Sequence, residues 1–132
     1  DLQRVQPVEI IVDAPDELLV GGDRSRLQQV LENLLSNAVK HAPPETQVEV
    51  IVREEFWDDS RRAVVTVRDS GSGIPPEVMP KLFQRFASGP GSTGLGLGLY
   101  IASRIAAAHN GSLTVESISG QGATFRLAIP IA

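Results

Sequence analysis

The stretch Asp23–Pro43, DRSRLQQVLENLLSNAVKHAP, limits what this chain can fold into more than any other. Leu27, Val30, Leu31, Leu34, Leu35 and Ala38 recur at spacings of three and four, which makes one apolar helical face that must find a partner layer. Asp23 stands where an N-cap belongs, and Pro43-Pro44 stop the helix. Asn33, Asn37, Lys40 and His41 follow the same spacing on an adjacent face. Asparagine in mid-helix costs propensity, because its amide competes for backbone hydrogen bonds. Docking needs only the apolar stripe, so the polar one points to a function.

The flanking segments supply the partner layer. Val8–Val12 reads as a strand, followed by the turn-like cluster Asp13-Ala14-Pro15-Asp16. Leu18–Val20 reads as a second short strand, ended by Gly21-Gly22. Thr46–Arg53 and Ala63–Arg68 alternate apolar and polar residues, as strands with one buried face do. Between them the charged Glu54–Arg62 reads as a hairpin loop, with Trp57 capping the sheet edge. Glu77–Phe86 fits a short helix with Val78, Leu82, Phe83 and Phe86 inward. Ala87–Thr93 reads as a loop by composition. A helix follows over Tyr100–His109, stopped by Asn110-Gly111. Leu113–Glu116 and Thr124–Ile129 read as final strands, joined at the Gly120/Gly122 turn. No internal repeat stands out. The expected class is α/β, with one mixed sheet carrying its helices on one face.

Composition narrows the chemistry. A chain of 132 residues suits a single domain with one core, here expected to span 1–132. Without cysteine there is neither a disulfide framework nor a thiolate metal site, and two histidines far apart in sequence argue against histidine-bound zinc. A net charge of −4 argues against a nucleic-acid partner. No apolar run approaches the roughly 20 residues of a membrane span. The opening DLQRVQPVEI, which lacks Met, reads as a piece of a longer protein.

Three motifs could carry chemistry. Asp69-Ser-Gly71-Ser-Gly73 closes a strand, where an aspartate could accept from an exocyclic amine such as that of adenine; the plain alternative is a turn in which Asp69 caps its own backbone. Gly94-x-Gly96-x-Gly98 opens a helix, which makes either an anion site or a close helix–sheet contact. A loop and not a strand precedes these glycines, which excludes the dinucleotide fingerprint, and the lysine-serine ending of a P-loop is missing. Asn33 and Asn37 are neutral oxygen donors one turn apart. One amide oxygen from Asn37, completed by water and phosphate, suits nucleotide-bound Mg²⁺, and Lys40 could reach a phosphate. Asn33 alone reads better as a buried structural amide, and Lys40 and His41 also favour the helix dipole.

Together and in order, these motifs resemble a known family. Asn33-x-x-x-Asn37-x-x-Lys40-His41, then Asp69-x-Gly71-x-Gly73-Ile74, then Phe83-Gln-Arg85-Phe86, then Thr93-Gly94-Leu95-Gly96-Leu97 resemble the N, G1, F and G2 boxes of sensor histidine kinases. His109-Asn110-Gly111 through Gly120-Gln-Gly122-Ala-Thr-Phe125 resembles the end of the same catalytic and ATP-binding domain, in the GHKL superfamily. The resemblance implies a two-layer α/β sandwich, with a mixed sheet of about five strands under helices on one face.

The resemblance also implies cofactors, roles and partners. ATP and Mg²⁺ would bind, with Asn37 on the metal and Asn33 assisting directly or through water. Lys40 would contact phosphate, and His41 would border the ribose and phosphates. Asp69 would read the adenine amine, with Gly71, Gly73 and Ile74 beside the base. Thr93, Gly94, Leu95, Gly96 and Leu97 would line the triphosphate, and Phe83 and Phe86 would anchor the ATP lid. His109 is expected to be structural. Asn33 and Lys40 are the catalytic candidates. The phosphate acceptor would be a histidine on a separate dimerising helical hairpin, and a response regulator would follow indirectly. The domain itself is expected to be monomeric and cytoplasmic, in a parent that can be membrane-anchored.

Two departures stand out: a seven-residue lid without Lys or Arg between Phe86 and Gly94, and Ala123 where the family often has threonine. Rival functions also differ at single residues. Chaperone- and topoisomerase-type relatives place a water-activating glutamate at the position of Asn33, and an amide is a poor general base. Glu32 points about 100° away on the helix. A nucleotide-gated interaction module, or an anti-sigma-type serine kinase, remains the alternative.

Overall fold

A computed structural model describes residues 8–84 and 97–131. Strand β1 (Glu9–Asp13) leads to helix α1 (Arg24–His41), then to strands β2 (Gln47–Trp57) and β3 (Ser60–Arg68). Helix α2 (Gly98–Ala108) follows, then strands β4 (Ser112–Ser117) and β5 (Ala123–Pro130). The five strands form one sheet in the order β1-β2-β3-β5-β4. β1 pairs parallel to β2, with α1 as the crossover, and every other pairing is antiparallel. The mixed sheet expected from the sequence is therefore present.

The alternation read from the sequence decides which face is covered. In register, Val50 faces Val67 and Val67 faces Phe125; Val52 faces Val65 and Val65 faces Leu127. This face meets Val30, Leu34 and Ala38 of α1 and Ala102, Ile105 and Ala106 of α2 in one core. Each fully buried Val or Leu there contributes about 1.5–3 kcal/mol. Both helices lie on that face. On the other, Glu49–Arg68 and Glu116–Arg126 pair across strands. On β1, the Arg53 guanidinium holds the Asp13 carboxyl below its usual range, through a 2.7 Å hydrogen bond and its charge.

Three sequence expectations need correction. Glu54–Arg62 is not a loop: β2 and β3 continue through it and turn on Asp58 and Asp59 alone. Both turn residues have positive φ, 52° and 66°, as a two-residue hairpin with right-handed twist requires. The charges are cross-strand partners, with Arg61 donating to Glu54 at 2.6 Å, and Trp57 sits at the hairpin tip donating to Glu55 at 2.9 Å. Glu77–Phe86 forms, among its described residues, only the 3-10 turn Met79–Lys81. Pro80 supplies no backbone N–H there, and it clashes with a continuing α-helix. Leu82 and Phe83 still pack inward, with Phe83 edge-on to Phe125 at 6.3 Å, while Phe86 lies outside the described residues. Leu18–Val20 makes a single bridge, Val20 to Ile131, and not a strand.

The helix stop at Asn110-Gly111 is a Schellman motif. Asn110 takes φ 60°, its N–H bonds Ala107 O at 3.0 Å, and Gly111 N–H bonds Ala106 O at 2.8 Å.

Candidate functional site

Helix α1 brings the separate motifs together. Asp23 caps it, accepting from Arg26 N–H at 3.1 Å. With Val30, Leu34 and Ala38 fully inward, the helical period leaves Asn33 and Asn37 half-buried and Lys40 and His41 exposed. Asn33 Nδ2 donates to Gly98 O at 3.0 Å, which fixes the start of α2 against the middle of α1. Asn33 Oδ1 has no donor among the described residues. The Asn37 side chain, one turn on, makes no hydrogen bond to the described residues.

The far ends of the two helices are also joined. His109 Nε2 accepts from Asp23 N–H at 3.0 Å, and Nδ1 lies 2.9 Å from Ile105 O. Only a neutral ring protonated at Nδ1 serves both partners. The helices therefore run antiparallel, tied at two points about 15 Å apart along α1. His109 carries the structural role expected of it.

The Asp69 loop closes against the other end of α1. Asp69 is 4% exposed, the one buried charged side chain among the described residues. One carboxylate oxygen accepts Gly71 N–H at 2.8 Å, the plain turn reading of the sequence. The other has no donor among the described residues, so the turn leaves half of the carboxylate unengaged. A Cβ on Gly71 would lie 2.5 Å from His41 O, so glycine lets the loop touch the end of α1. Gly73 has φ 85°, and a Cβ there would lie 2.8 Å from Ile118 O. The protein's own backbone thus fills the space that both glycines vacate. Ile74 N–H is held by Ser117 Oγ at 2.7 Å, a contact between residues 43 apart that no local spacing announces.

The result is a polar strip along α1, about 12 Å from Asn33 to His41. The start of α2 sits at one end and the Asp69 loop at the other, with the unpaired Asn37 amide between them. Leu97 lies at the N-cap of α2, whose first-turn N–H groups and dipole favour an anion. Thr93, Gly94, Leu95 and Gly96, with Arg85 and the Ala87–Thr93 lid, lie outside the described residues. No cluster of three or more His, Cys, Asp or Glu able to hold a metal occurs among the described residues. A divalent ion at this strip would depend on the neutral Asn37 oxygen plus ligand oxygens, a donor set that fits Mg²⁺ on a nucleotide. No helix of the described residues is long and apolar enough to cross a membrane.

Fold and strip together define an α/β nucleotide-binding domain of the GHKL kind. Residues 22–132 match the family model described as histidine kinase-, DNA gyrase B- and HSP90-like ATPase, and the chain belongs to that family. Within it the chain is the catalytic and ATP-binding domain of the sensor histidine kinase type. It is 34% identical to the adaptive-response sensory kinase SasA of Synechococcus elongatus over 97% of this chain and 33% of that one. It is 38% identical to the sensor-like histidine kinase SenX3 of Mycobacterium tuberculosis over 93% of this chain and 30% of that one. The chain thus spans about a third of the length of these relatives. Among solved structures, the mycobacterial sensor histidine kinase MprB superposes with a TM-score of 0.79 at 30% identity, covering 94% of this chain and 82% of that one. Full-length ShkA in complex with AMPPNP superposes with a TM-score of 0.77 at 32% identity, covering 96% of this chain and 26% of that one.

Proposed function

We propose that this chain, a single domain of a longer kinase, binds Mg·ATP along the polar strip of α1. It then donates the γ-phosphoryl group to a histidine on a separate helical hairpin of its parent, and a response regulator receives the phosphate afterwards. The single observation that carries this reading is the convergence on α1 of Asn37, the start of α2 and the buried Asp69.

The residues divide the work. The Asp69 oxygen not used by Gly71 accepts from the adenine amine, with Gly73 and Ile74 beside the base. Asn37 holds Mg²⁺ through its unengaged amide oxygen, and Asn33 Oδ1 assists. Magnesium, when bound, supplies charge neutralisation on the phosphates. Lys40 and His41, exposed at the end of α1, face the phosphates and ribose, while Thr93 to Leu97 line the triphosphate. Phosphoryl transfer needs mainly positioning and electrostatic stabilisation, and these groups supply both. Hydrolysis needs a base for water. Asn33, at the position where hydrolytic relatives carry that base, has its nitrogen committed to Gly98 O and cannot act as one. The domain works as a cytoplasmic monomer with a protein acceptor and no nucleic acid.

The test is transfer from γ-labelled ATP. The chain alone should turn ATP over very slowly and remain unlabelled. Mixed with its cognate acceptor hairpin, it should produce acid-labile phosphohistidine on the hairpin. Fast stand-alone turnover, or acid-stable phosphoserine on any added protein, would overturn the proposal.

A further inference from the structure

The Asp69 loop is held on its second side by the turn between β4 and β5. Asp69 N–H donates to Ala123 O at 3.0 Å, and Gly120 N–H donates to Ser72 O at 2.8 Å. Gly122 has φ 91°, and a Cβ there would overlap Asp69 O. Ile118 O presses on Gly73. These contacts are made by backbone atoms, and at Gly73 and Gly122 they require the absence of a side chain. The exception is Ser117. Its Oγ accepts Ile74 N–H at 2.7 Å and donates to Gly122 O at 3.4 Å, which fixes the hydroxyl rotor. Among the described residues it is the one side chain hydrogen-bonded across this seam.

We infer that Ser117 is a positioning residue for nucleobase recognition. The inference rests on the reading that Asp69 receives the adenine amine. Gly71, whose N–H orients the Asp69 carboxylate, stands between two anchors: the Ala123 contact at Asp69 and the Ser117 contact at Ile74. With the second anchor gone, Ile74 N–H is left half-buried and unpaired. The loop then relaxes toward other acceptors, and Gly71 N–H no longer holds the carboxylate in one orientation. The base-reading oxygen loses its aim, while the phosphate end of the strip, on α1 and α2, is untouched. The effect should therefore fall on discrimination between bases and not on triphosphate affinity.

The experiment measures calorimetric dissociation constants of the 132-residue chain for Mg·ATP, Mg·GTP and magnesium tripolyphosphate. Wild type is compared with Ser117→Ala, Ser117→Thr and Asp69→Asn. In Asp69→Asn the Gly71 N–H engages the amide oxygen and turns the NH₂ toward the base, where it meets the adenine amine donor to donor. Ser117→Ala should lower the ATP-over-GTP preference about tenfold, the scale of one lost buried hydrogen bond, with tripolyphosphate affinity unchanged. Ser117→Thr, which keeps the hydroxyl, should restore the preference. Retained tripolyphosphate binding shows that a variant is folded. If Asp69→Asn loses the preference and Ser117→Ala keeps it, Asp69 reads the base and the inference about Ser117 is wrong. If Asp69→Asn keeps the preference, both fall. Equal weakening of all three ligands by Ser117→Ala, or no rescue by threonine, would reduce Ser117 to a general stabilising residue and overturn the inference.

Discussion

Asn33 and Asn37 carry the same side chain one helical turn apart and have different occupations. Asn33 spends its nitrogen on Gly98 O, so removing it would take away one tie between the two helices as well as any ligand contact. Asn37 spends nothing on the described residues, although half-buried. Its amide atoms stay open to solvent or a ligand, and α1 would be more stable with alanine there, since asparagine is the poorer helix former. Asn37→Ala should therefore leave folding stability unchanged or slightly raised, and weaken Mg·ATP binding about tenfold or more. Titration of a fluorescent ATP analogue with and without Mg²⁺ reads this. The variant should bind equally in both, because the metal has lost its protein oxygen. Wild-type affinity in the presence of Mg²⁺ would remove Asn37 from the site.

The two helices depend on contacts that neither makes alone. His109 ends α2 and accepts the Asp23 N–H that begins α1, with the Gly22 backbone packed against its ring. His109→Ala removes both bonds and the packing, and should cost about 1–2 kcal/mol in denaturant unfolding. A loss of a few tenths would mean that the Asn33–Gly98 bond and the alanine-lined core align the helices by themselves. This clamp, like the Ser117 seam, was not legible as geometry in the sequence. Its partners are 86 residues apart, and those of Ser117 are 43 apart. Helix α1 was legible, because its period, cap and proline stop are local signals, and so was Asp69, because its glycines announce a turn. The β2–β3 hairpin was misread for a physical reason: on an exposed pair of strands, charge records cross-strand pairing and not irregular backbone. After Pro75-Pro76 the apolar spacing suits a helix, but Pro80 lacks the N–H that a continuing helix needs, and only the 3-10 turn Met79–Lys81 forms.

Binding at the strip would couple the whole domain. A nucleotide lying on α1 between Gly98 and Gly71 touches segments otherwise joined there by one side-chain bond and one close backbone approach. The unfolded chain has no such arrangement, so Mg·ATP should bind the folded state alone and stabilise it by mass action. At a concentration of a hundred times Kd this amounts to about 2.7 kcal/mol. For a domain of this size it should raise Tm by about 10 °C. Chelating the metal with EDTA at constant ATP should lose most of the shift, because Asn37 then has no ion to hold and the phosphates keep their full charge. Mg²⁺ alone should give little, since no cluster of acidic or histidine ligands occurs among the described residues. Differential scanning calorimetry of these three mixtures, with the ligand-free chain as reference, separates these cases. An equal Tm with and without EDTA would place the nucleotide away from Asn37. A full shift from Mg²⁺ alone would mean that the chain carries a metal site independent of the nucleotide.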